Sequence, residues 1–350
     1  MKINFILITI LCFLQSLGLA GQEYTKEKKV KGQFSVNSND KLLIENKFGD
    51  ITINTWDKNE ITVDITITTK AKSEEKAQAM LDKISIEEDT RVKETHKIRY
   101  KTKFENTTGN TNGEIDIDYV INMPRKNPID IKNEFGDVTL GDFEGEMQMA
   151  VSYGKFKAGK IKGDKKNIKV SFGGVTIDNI ETGYLQTSYS DIFITTAENI
   201  EIKNTFGNSE IASVKTLKVN QSYGDLKVGA AGELSGSVEF ADLEVKKLSK
   251  SADLSLQYCG QADFKEVEAS VSSIKIKAGF SDIRIKLDRS SSFSVDITSK
   301  FGDVDNDLKA LELTESKGKD DRFKTTHKGK IGKGEGTITL DLDYGNENFE

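Results

Sequence analysis

The side chains best suited to nucleophilic, acid–base or metal chemistry are scarce in this 350-residue chain, which contains only two histidines and two cysteines. His96 and His327 lie far apart in the sequence, and a histidine-based triad or a zinc site would require each to meet further ligands. Cys259 replaces a glycine of a repeated motif, which favours a small turn residue over a nucleophile. We therefore predict no catalytic residue, no metal ligand and no cofactor, and we interpret the protein as a non-enzyme.

Aspartate is the one reactive residue type that recurs at equivalent positions. Stacked carboxylates could hold Ca²⁺, but other repeats carry Lys155, Gly174, Asn208 or Gly260 at the same position. The glycine-rich nonapeptide of calcium β-rolls is also absent. We expect these residues to hydrogen-bond the backbone of their own turn rather than to bind calcium. The aspartates are Asp50, Asp137, Asp191, Asp225, Asp242, Asp282 and Asp303.

These aspartates belong to a motif that consists of an aromatic residue, a small residue, often Asp, and then alternating apolar residues. From Phe135 to Tyr258 the aromatic positions are separated by 18, 19, 17, 17, 17, 17 and 18 residues, a regularity typical of a solenoid. The twelve aromatic positions are Phe48, Phe135, Tyr153, Phe172, Tyr189, Phe206, Tyr223, Phe240, Tyr258, Phe280, Phe301 and Tyr344.

The alternation of apolar residues predicts which side chains face the core. Leu217, Val219, Gln221 and Tyr223 are two residues apart, so they share one face of a strand. We therefore predict that the aromatic rings point inward, which argues against a sugar-stacking platform. We expect the following glycine to adopt positive φ at the corner. Four amides two residues before an aromatic should face inward too and pair with a neighbouring repeat: Asn46, Asn133, Asn204 and Gln221.

The predicted fold class is all-β, a single-stranded parallel β-helix with coils of about 17–19 residues stacked ~4.8 Å apart. Phe and Tyr alternate from position 135 to 280. The gene could have grown by duplicating pairs of coils, or one full coil could contain two repeats. We favour the first account, because a coil of two repeats would enclose more space than these short strands can fill.

Three regions follow from the pattern. Residues 1–20 resemble a secretory signal peptide, with Lys2 before a short apolar run and small residues before Gly21. Residues 21–128 should form a β-rich cap with one helix over 73–84, which covers the open end of the stack. Residues 129–350 should form the β-helix repeat domain, with a long loop near 306–336.

Composition restricts the partners. The net charge is −6, and the basic residues are interleaved with acidic ones, so nucleic acid is not an expected partner. No segment after the leader has the ~18 apolar residues of a membrane helix. We expect an exported protein in the periplasm, on the cell surface or outside the cell.

One segment resembles a known family. Tyr119-Val120-Ile121-Asn122-Met123-Pro124, followed by Ile129 to Asp137, resembles the bacterial "putative adhesin" or DUF4097-type β-strand-repeat family. The similar head GIN domain family of auto-transporter-like proteins uses the same unit. The resemblance is good over residues 115–304, and it implies a right-handed parallel β-helix in an exported envelope protein. No binding residue is carried over from it.

Three functions remain open at this stage. The leading hypothesis is a non-catalytic, adhesin-like surface scaffold that binds an envelope protein or a glycan. The first alternative is a carbohydrate-active β-helix enzyme similar to polysaccharide lyases, which would need clustered acids beside an Arg or Lys in an open groove. The second is a periplasmic component of an envelope-stress or regulatory locus.

Overall fold

The computed structural model describes residues 23–90, 92–105, 113–308, 311–317 and 323–349, so the predicted signal peptide lies outside the described residues. The structure is all-β, and one large sheet contains the described strands. Two short helices accompany them, α1 (Glu74–Asp82) and α2 (Val92–Thr95). The strands are β1 (Tyr24–Ser35), β2 (Lys41–Lys47), β3 (Ile51–Trp56), β4 (Glu60–Ala71), β5 (Ile84–Asp89), β6 (Lys97–Phe104), β7 (Gly113–Pro124), β8 (Ile129–Glu134), β9 (Val138–Leu140), β10 (Met147–Ser152), β11 (Lys155–Ile161), β12 (Lys166–Thr205), β13 (Ser209–Ser222), β14 (Leu226–Glu239), β15 (Leu243–Gln257), β16 (Ala262–Val267), β17 (Ser273–Gly279), β18 (Ile283–Leu287), β19 (Phe293–Lys300), β20 (Val304–Asn306), β21 (Glu312–Lys317), β22 (Lys324–Ile331), β23 (Gly336–Asp343) and β24 (Glu347–Phe349).

Successive repeats pair in parallel with an offset of one repeat. Ser209 lies opposite Ile192 of the preceding repeat and opposite Leu226 of the following one. The same parallel pairing joins β8 to β10 and β14 to β15. Hydrogen bonds therefore connect each of these repeats to the next one in the sequence.

Alternate residues of each strand are buried and form one continuous aliphatic core. In β13, Leu217 and Val219 are fully buried while Lys218 between them is exposed. All four inward amides are buried, and one pair bonds amide to amide between repeats: Asn46 Nδ2 donates to Asn133 Oδ1 at 3.1 Å. Asn204 Oδ1 instead accepts from the Thr187 hydroxyl, and Gln221 Nε2 donates to the Gly207 carbonyl oxygen. These hydrogen bonds keep the desolvation cost of the buried amides low.

The N-terminal region adds antiparallel strands and a helix to the same sheet. β4 lies between β1 and β7 in antiparallel order, and β5 pairs with β6. Helix α1 begins after Ser73, whose hydroxyl accepts a hydrogen bond from the Lys76 N–H, and it buries Ala77, Met80 and Leu81. Ile84 starts β5 instead of continuing the predicted helix. Neither described helix is long and apolar enough to cross a bilayer.

The parallel pairing of repeats continues across the domain boundary predicted at residue 128. β2 pairs in parallel with β8, so that Leu42 lies opposite Ile129, and β3 pairs with β9. Strand β3 also pairs in parallel with β7. The motif around Phe48 therefore belongs to the first layer of the repeat array, and the added antiparallel strands continue from that layer.

The C-terminal strands depart from chain order. Strand β23 pairs in parallel with β17 on one side and with β19 on the other, although β17 and β19 are consecutive repeats in the sequence. The long loop predicted near 306–336 is wrong, because β21 and β22 lie there and pair antiparallel with each other, and β22 pairs with β19. Most of β22 is only partly buried, and its residues are mostly polar. Its sequence therefore lacks the alternation of apolar and polar residues by which a strand is predicted.

We predict that deleting residues 336–350 lowers the free energy of unfolding by several kcal/mol. The deletion removes the buried side chains of Ile338, Leu340, Leu342 and Phe349, each worth about 1.5–3 kcal/mol. It also leaves the facing edges of β17 and β19 without a partner. Urea unfolding followed by circular dichroism measures the loss.

A synthetic peptide of residues 336–349 added to the truncated chain should restore most of the stability. The control peptide carries Ser in place of Ile338, Leu340 and Leu342 and should restore none. An unchanged unfolding midpoint after truncation would show that β23 is dispensable.

Candidate ligand-binding surface

The motif aromatics lie on the outside of the molecule, which corrects the prediction that they face the core. Eleven of them have 39–52% of their surface exposed, and Phe48 is partly buried. All twelve have φ between 49° and 64°, the left-handed region. The alternation that buries Leu217, Val219 and Gln221 therefore ends before Tyr223, where the backbone turns the ring outward. The period-2 rule applies only while the chain remains extended.

The rings stack face to face in a single file, which we call the aromatic ladder. Neighbouring ring centroids are 4.6–5.2 Å apart, with interplanar angles of 2–13°. Phe104 packs edge-on against Phe48 at one end, and Phe323 packs against Phe301 at the other. In spatial order the ladder is Phe48, Phe135, Tyr153, Phe172, Tyr189, Phe206, Tyr223, Phe240, Tyr258, Phe280, Tyr344 and Phe301.

The geometry of the ladder determines what it offers to a ligand. Both faces of each interior ring are covered by neighbouring rings, so the exposed part is a strip of ring edges with the tyrosine hydroxyl groups. A left-handed backbone costs a bulky residue roughly 1–2 kcal/mol, and one stacked pair contributes about 0.5–1.5 kcal/mol. Stacking therefore offsets a strain of similar size, and the exposed edges remain available for contacts.

The small residue after each aromatic is required for close approach between repeats, not for its own φ. A Cβ atom on Gly154 would lie 2.0 Å from the carbonyl oxygen of Gly136, the equivalent residue of the neighbouring repeat. Among the motif glycines that the structure describes, only Gly49 and Gly224 have positive φ. The predicted positive φ therefore occurs one residue earlier in the motif, at the aromatic residue rather than at most of the glycines.

The aspartates bond to the next repeat instead of to their own turn, which corrects the second prediction about the corner. Asp50 Oδ1 accepts from the Asp137 N–H at 2.7 Å, and Asp137 Oδ1 accepts from the Lys155 N–H at 2.8 Å. The same bond recurs from Asp191, Asp225, Asp242 and Asp282, and Asp303 donates its own N–H to Asn346 Oδ1. Asn208 and Asn346 accept in the same way, so we call this set the Asp/Asn column. Within the described ranges no group of three or more acidic, His or Cys side chains has a metal-binding arrangement.

A row of short hydroxyl side chains borders the other side of the ladder from Tyr153 to Tyr223. Each precedes a ladder aromatic and is half-buried on the outer face. Ser152 lies opposite Ser171, and Thr205 lies opposite Ser222, in neighbouring strands. Sequence reasoning missed this row, although the serines precede the aromatics at a constant position. The hydroxyl row consists of Ser152, Ser171, Ser188, Thr205 and Ser222.

The histidines and the cysteine are not brought into one site. His96 Nδ1 lies 2.8 Å from Asp40 Oδ1, whereas His327 lies on β22 opposite Ile297. Cys259 is buried, its N–H donates to Ser281 Oγ at 3.0 Å, and burial raises the pKa of its thiol. The buried position of Cys259 fits the predicted role of a small turn residue.

Comparison with known proteins gives structural similarity only. No family profile and no curated protein matches the sequence. A solved "putative adhesin" from Parabacteroides distasonis is 13% identical, with 92% of this chain and 97% of that chain covered and a TM-score of 0.33. A "putative cell adhesion protein" from Clostridium sporogenes is 12% identical, with coverage of 93% and 99% and a TM-score of 0.19. A "putative lipid binding protein" from P. distasonis is 9% identical, with coverage of 92% and 96% and a TM-score of 0.26. Similarities this weak carry no conclusion about what this chain binds.

The neighbouring glycines of one corner give a matched test of the close approach between repeats. A Cβ on Gly173 would lie 1.8 Å from the Gly154 carbonyl oxygen, whereas on Gly174 the nearest atom would be 3.4 Å away. We predict that Gly173→Ala lowers the free energy of unfolding by about 1–3 kcal/mol, the cost of overpacking, and that Gly174→Ala has little effect. Chemical denaturation compares the two, and equal losses would contradict this role of the corner.

A buried carboxyl near the ladder's C-terminal end should make stability depend on pH. Glu347 lies between Ile283 and Val304 and is 1% exposed, and neither of its carboxylate oxygens has a hydrogen-bond partner among the residues that the structure describes. Burial raises its pKa well above the ordinary value of 4.5. The folded state therefore holds a proton that the unfolded state releases above that pH, and stability falls as pH rises until it passes the folded pKa.

We predict that Glu347→Gln removes this loss, which amounts to about 1.4 kcal/mol per pH unit within that window. The variant should match the parent chain at acid pH and exceed its stability at neutral pH. Glu210→Gln, at an exposed position of β13, is the control and should change the stability at neither acid nor neutral pH. Parallel stability–pH curves for the parent and Glu347→Gln would refute the buried proton.

Proposed function

We propose that this protein is an exported, non-catalytic surface scaffold that binds a glycan along the aromatic ladder. The observation that carries the proposal is the ladder itself, eleven exposed rings held in one file by a strained backbone. Large apolar surfaces in water are unusual, and contiguous ones mark interaction sites. The motif resemblance to bacterial adhesin-like proteins over residues 115–304 is consistent with this role.

We further propose that the repeats wind into a parallel β-helix, one repeat per coil. The parallel, in-register pairing at one-repeat offset supports this architecture. So does strand β12, whose 40 residues extend over more than two repeats. A rigid rod of this kind presents the same outer residues at each coil, which suits a ligand that is itself a repeating polymer.

The chemistry beside the ladder favours a glycan over other polymers. A sugar ring presents both C–H groups and hydroxyls, and the ladder provides an apolar strip bordered by the hydroxyl row and the Asp/Asn column. Carboxylates along one border repel the phosphates of nucleic acids and anionic lipids.

One observation favours the alternative of a carbohydrate-active enzyme. A depression of about 290 Å³ near the C-terminal end of the ladder is lined by Asp282, Arg284 and Asp305 among others. Acids beside an arginine in an open groove are the arrangement that this alternative requires. If Asp282→Asn abolished depolymerisation of a bound polysaccharide, the enzyme would replace the scaffold.

The ladder is tested by replacing two central rings. Tyr189→Asn with Tyr223→Asn removes ring contacts while introducing a residue that tolerates the left-handed region. We expect at least tenfold weaker binding to polysaccharides immobilised on beads or arrays. Val120→Thr alters an equally exposed apolar side chain away from the ladder and should bind like the parent. Undiminished binding by the folded double variant would exclude the ladder as the binding surface.

A further inference from the structure

Tyrosine hydroxyls occur at every second ring of the ladder. From Phe135 to Phe301 the rings alternate strictly between Phe and Tyr in space. Two strand spacings give a hydroxyl repeat of roughly 9.6 Å. Within the described part of the chain these five hydroxyls have no hydrogen-bond partner, and their residues are 46–52% exposed. The residues are Tyr153, Tyr189, Tyr223, Tyr258 and Tyr344.

Stacking does not explain this alternation, because stacking uses the rings and not the hydroxyls. Duplication of pairs of repeats explains it only as far as Phe280. The next motif in the sequence is Phe301, which would place two phenylalanines side by side. Instead Tyr344, from a strand much later in the chain, lies between them, 4.8 Å from Phe280 and 4.6 Å from Phe301. The fold thus restores the alternation where the sequence interrupts it.

We propose that the ligand is a neutral, linear, β-1,4-linked polysaccharide that lies parallel to the ladder with one disaccharide for every two rings. This inference rests on the proposed function and specifies its substrate class. In a β-1,4-linked chain each sugar is turned over relative to the last, so the extended ribbon repeats after two sugars. That two-fold period corresponds to the alternation of Phe edges and Tyr hydroxyls.

The borders of the ladder determine the charge and shape of the chain. Asp191 and Asp225 in the Asp/Asn column disfavour uronic acid polymers through like-charge repulsion. Ser188, Thr205 and Ser222 in the hydroxyl row can donate to or accept from sugar hydroxyls. A chain whose linkage coils it into a helix would lose register after one or two rings, whereas an extended ribbon remains in contact.

Register with the ladder makes affinity depend on ligand length. Isothermal titration of the parent chain with cello- and chito-oligosaccharides, from the disaccharide to the octasaccharide, should show a stepwise gain for each added disaccharide. Tyr189→Phe combined with Tyr223→Phe and Tyr258→Phe keeps every ring but removes three hydroxyls. We expect about fivefold weaker binding of the longest oligomer per hydroxyl lost, together with a smaller gain per added disaccharide.

Tyr184→Phe removes a phenolic hydroxyl outside the ladder and should change nothing. Maltooligosaccharides, which are α-linked, and polygalacturonate, which is anionic, should bind weakly to all forms. Three results would each overturn the inference. They are equal affinity for short and long oligomers, equal affinity of the triple variant and the parent chain for the longest oligomer, and preference for the α-linked or the anionic polymer. None of these results affects the proposed glycan binding along the ladder, which fails if the two ring-removing asparagine substitutions leave glycan binding intact.

Discussion

Parallel, in-register hydrogen bonding between neighbouring repeats is the constraint on which the rest of the structure depends. Each residue lies opposite its equivalent one repeat away, so residues at one motif position form a column with a spacing near 4.8 Å. The aromatic ladder, the Asp/Asn column and the hydroxyl row are three consequences of that pairing. The columns also explain the corner glycines, because two backbones approach closely at the same position in many layers.

The ladder combines two unfavourable features, and the stacking of the rings partly compensates for both. A left-handed backbone is unfavourable for a bulky side chain, and an aromatic ring in water loses the benefit of burial. Once neighbouring rings stack, each covers the faces of the next, so the strain and the exposure are both partly offset. The compensation is cooperative along the file, since an interior ring contributes two contacts and an end ring one. Phe104 and Phe323 pack against the ends and reduce that deficit.

The repeat, the strand alternation, the helix after residue 73 and the inward position of the four amides could all be predicted, because each depends on residues close together in sequence or on a strict period. The orientation of the rings could not be predicted. Parity along the strand placed Tyr223 with Leu217 and Val219, and nothing in the composition of the corner indicated that the aromatic, rather than Gly224, begins the turn. The misplaced turn concealed the candidate surface, since inward rings cannot contact a ligand. The insertion of β23 between β17 and β19 could not be predicted either, because it depends on pairing between strands that are distant in the sequence.

The position of β23 has a consequence for the order in which the protein matures. The ribosome synthesises β17 and β19 well before residues 336–349. Until then the position of β23 between these two strands stays empty. Most strands pair with a strand that has been synthesised just before them. The layer between β17 and β19 instead requires β23, which is synthesised later. The layers from β17 onward therefore consolidate after synthesis has passed them, whereas earlier layers can form vectorially. The layer between β17 and β19 would thus remain incomplete until residues 336–349 are synthesised.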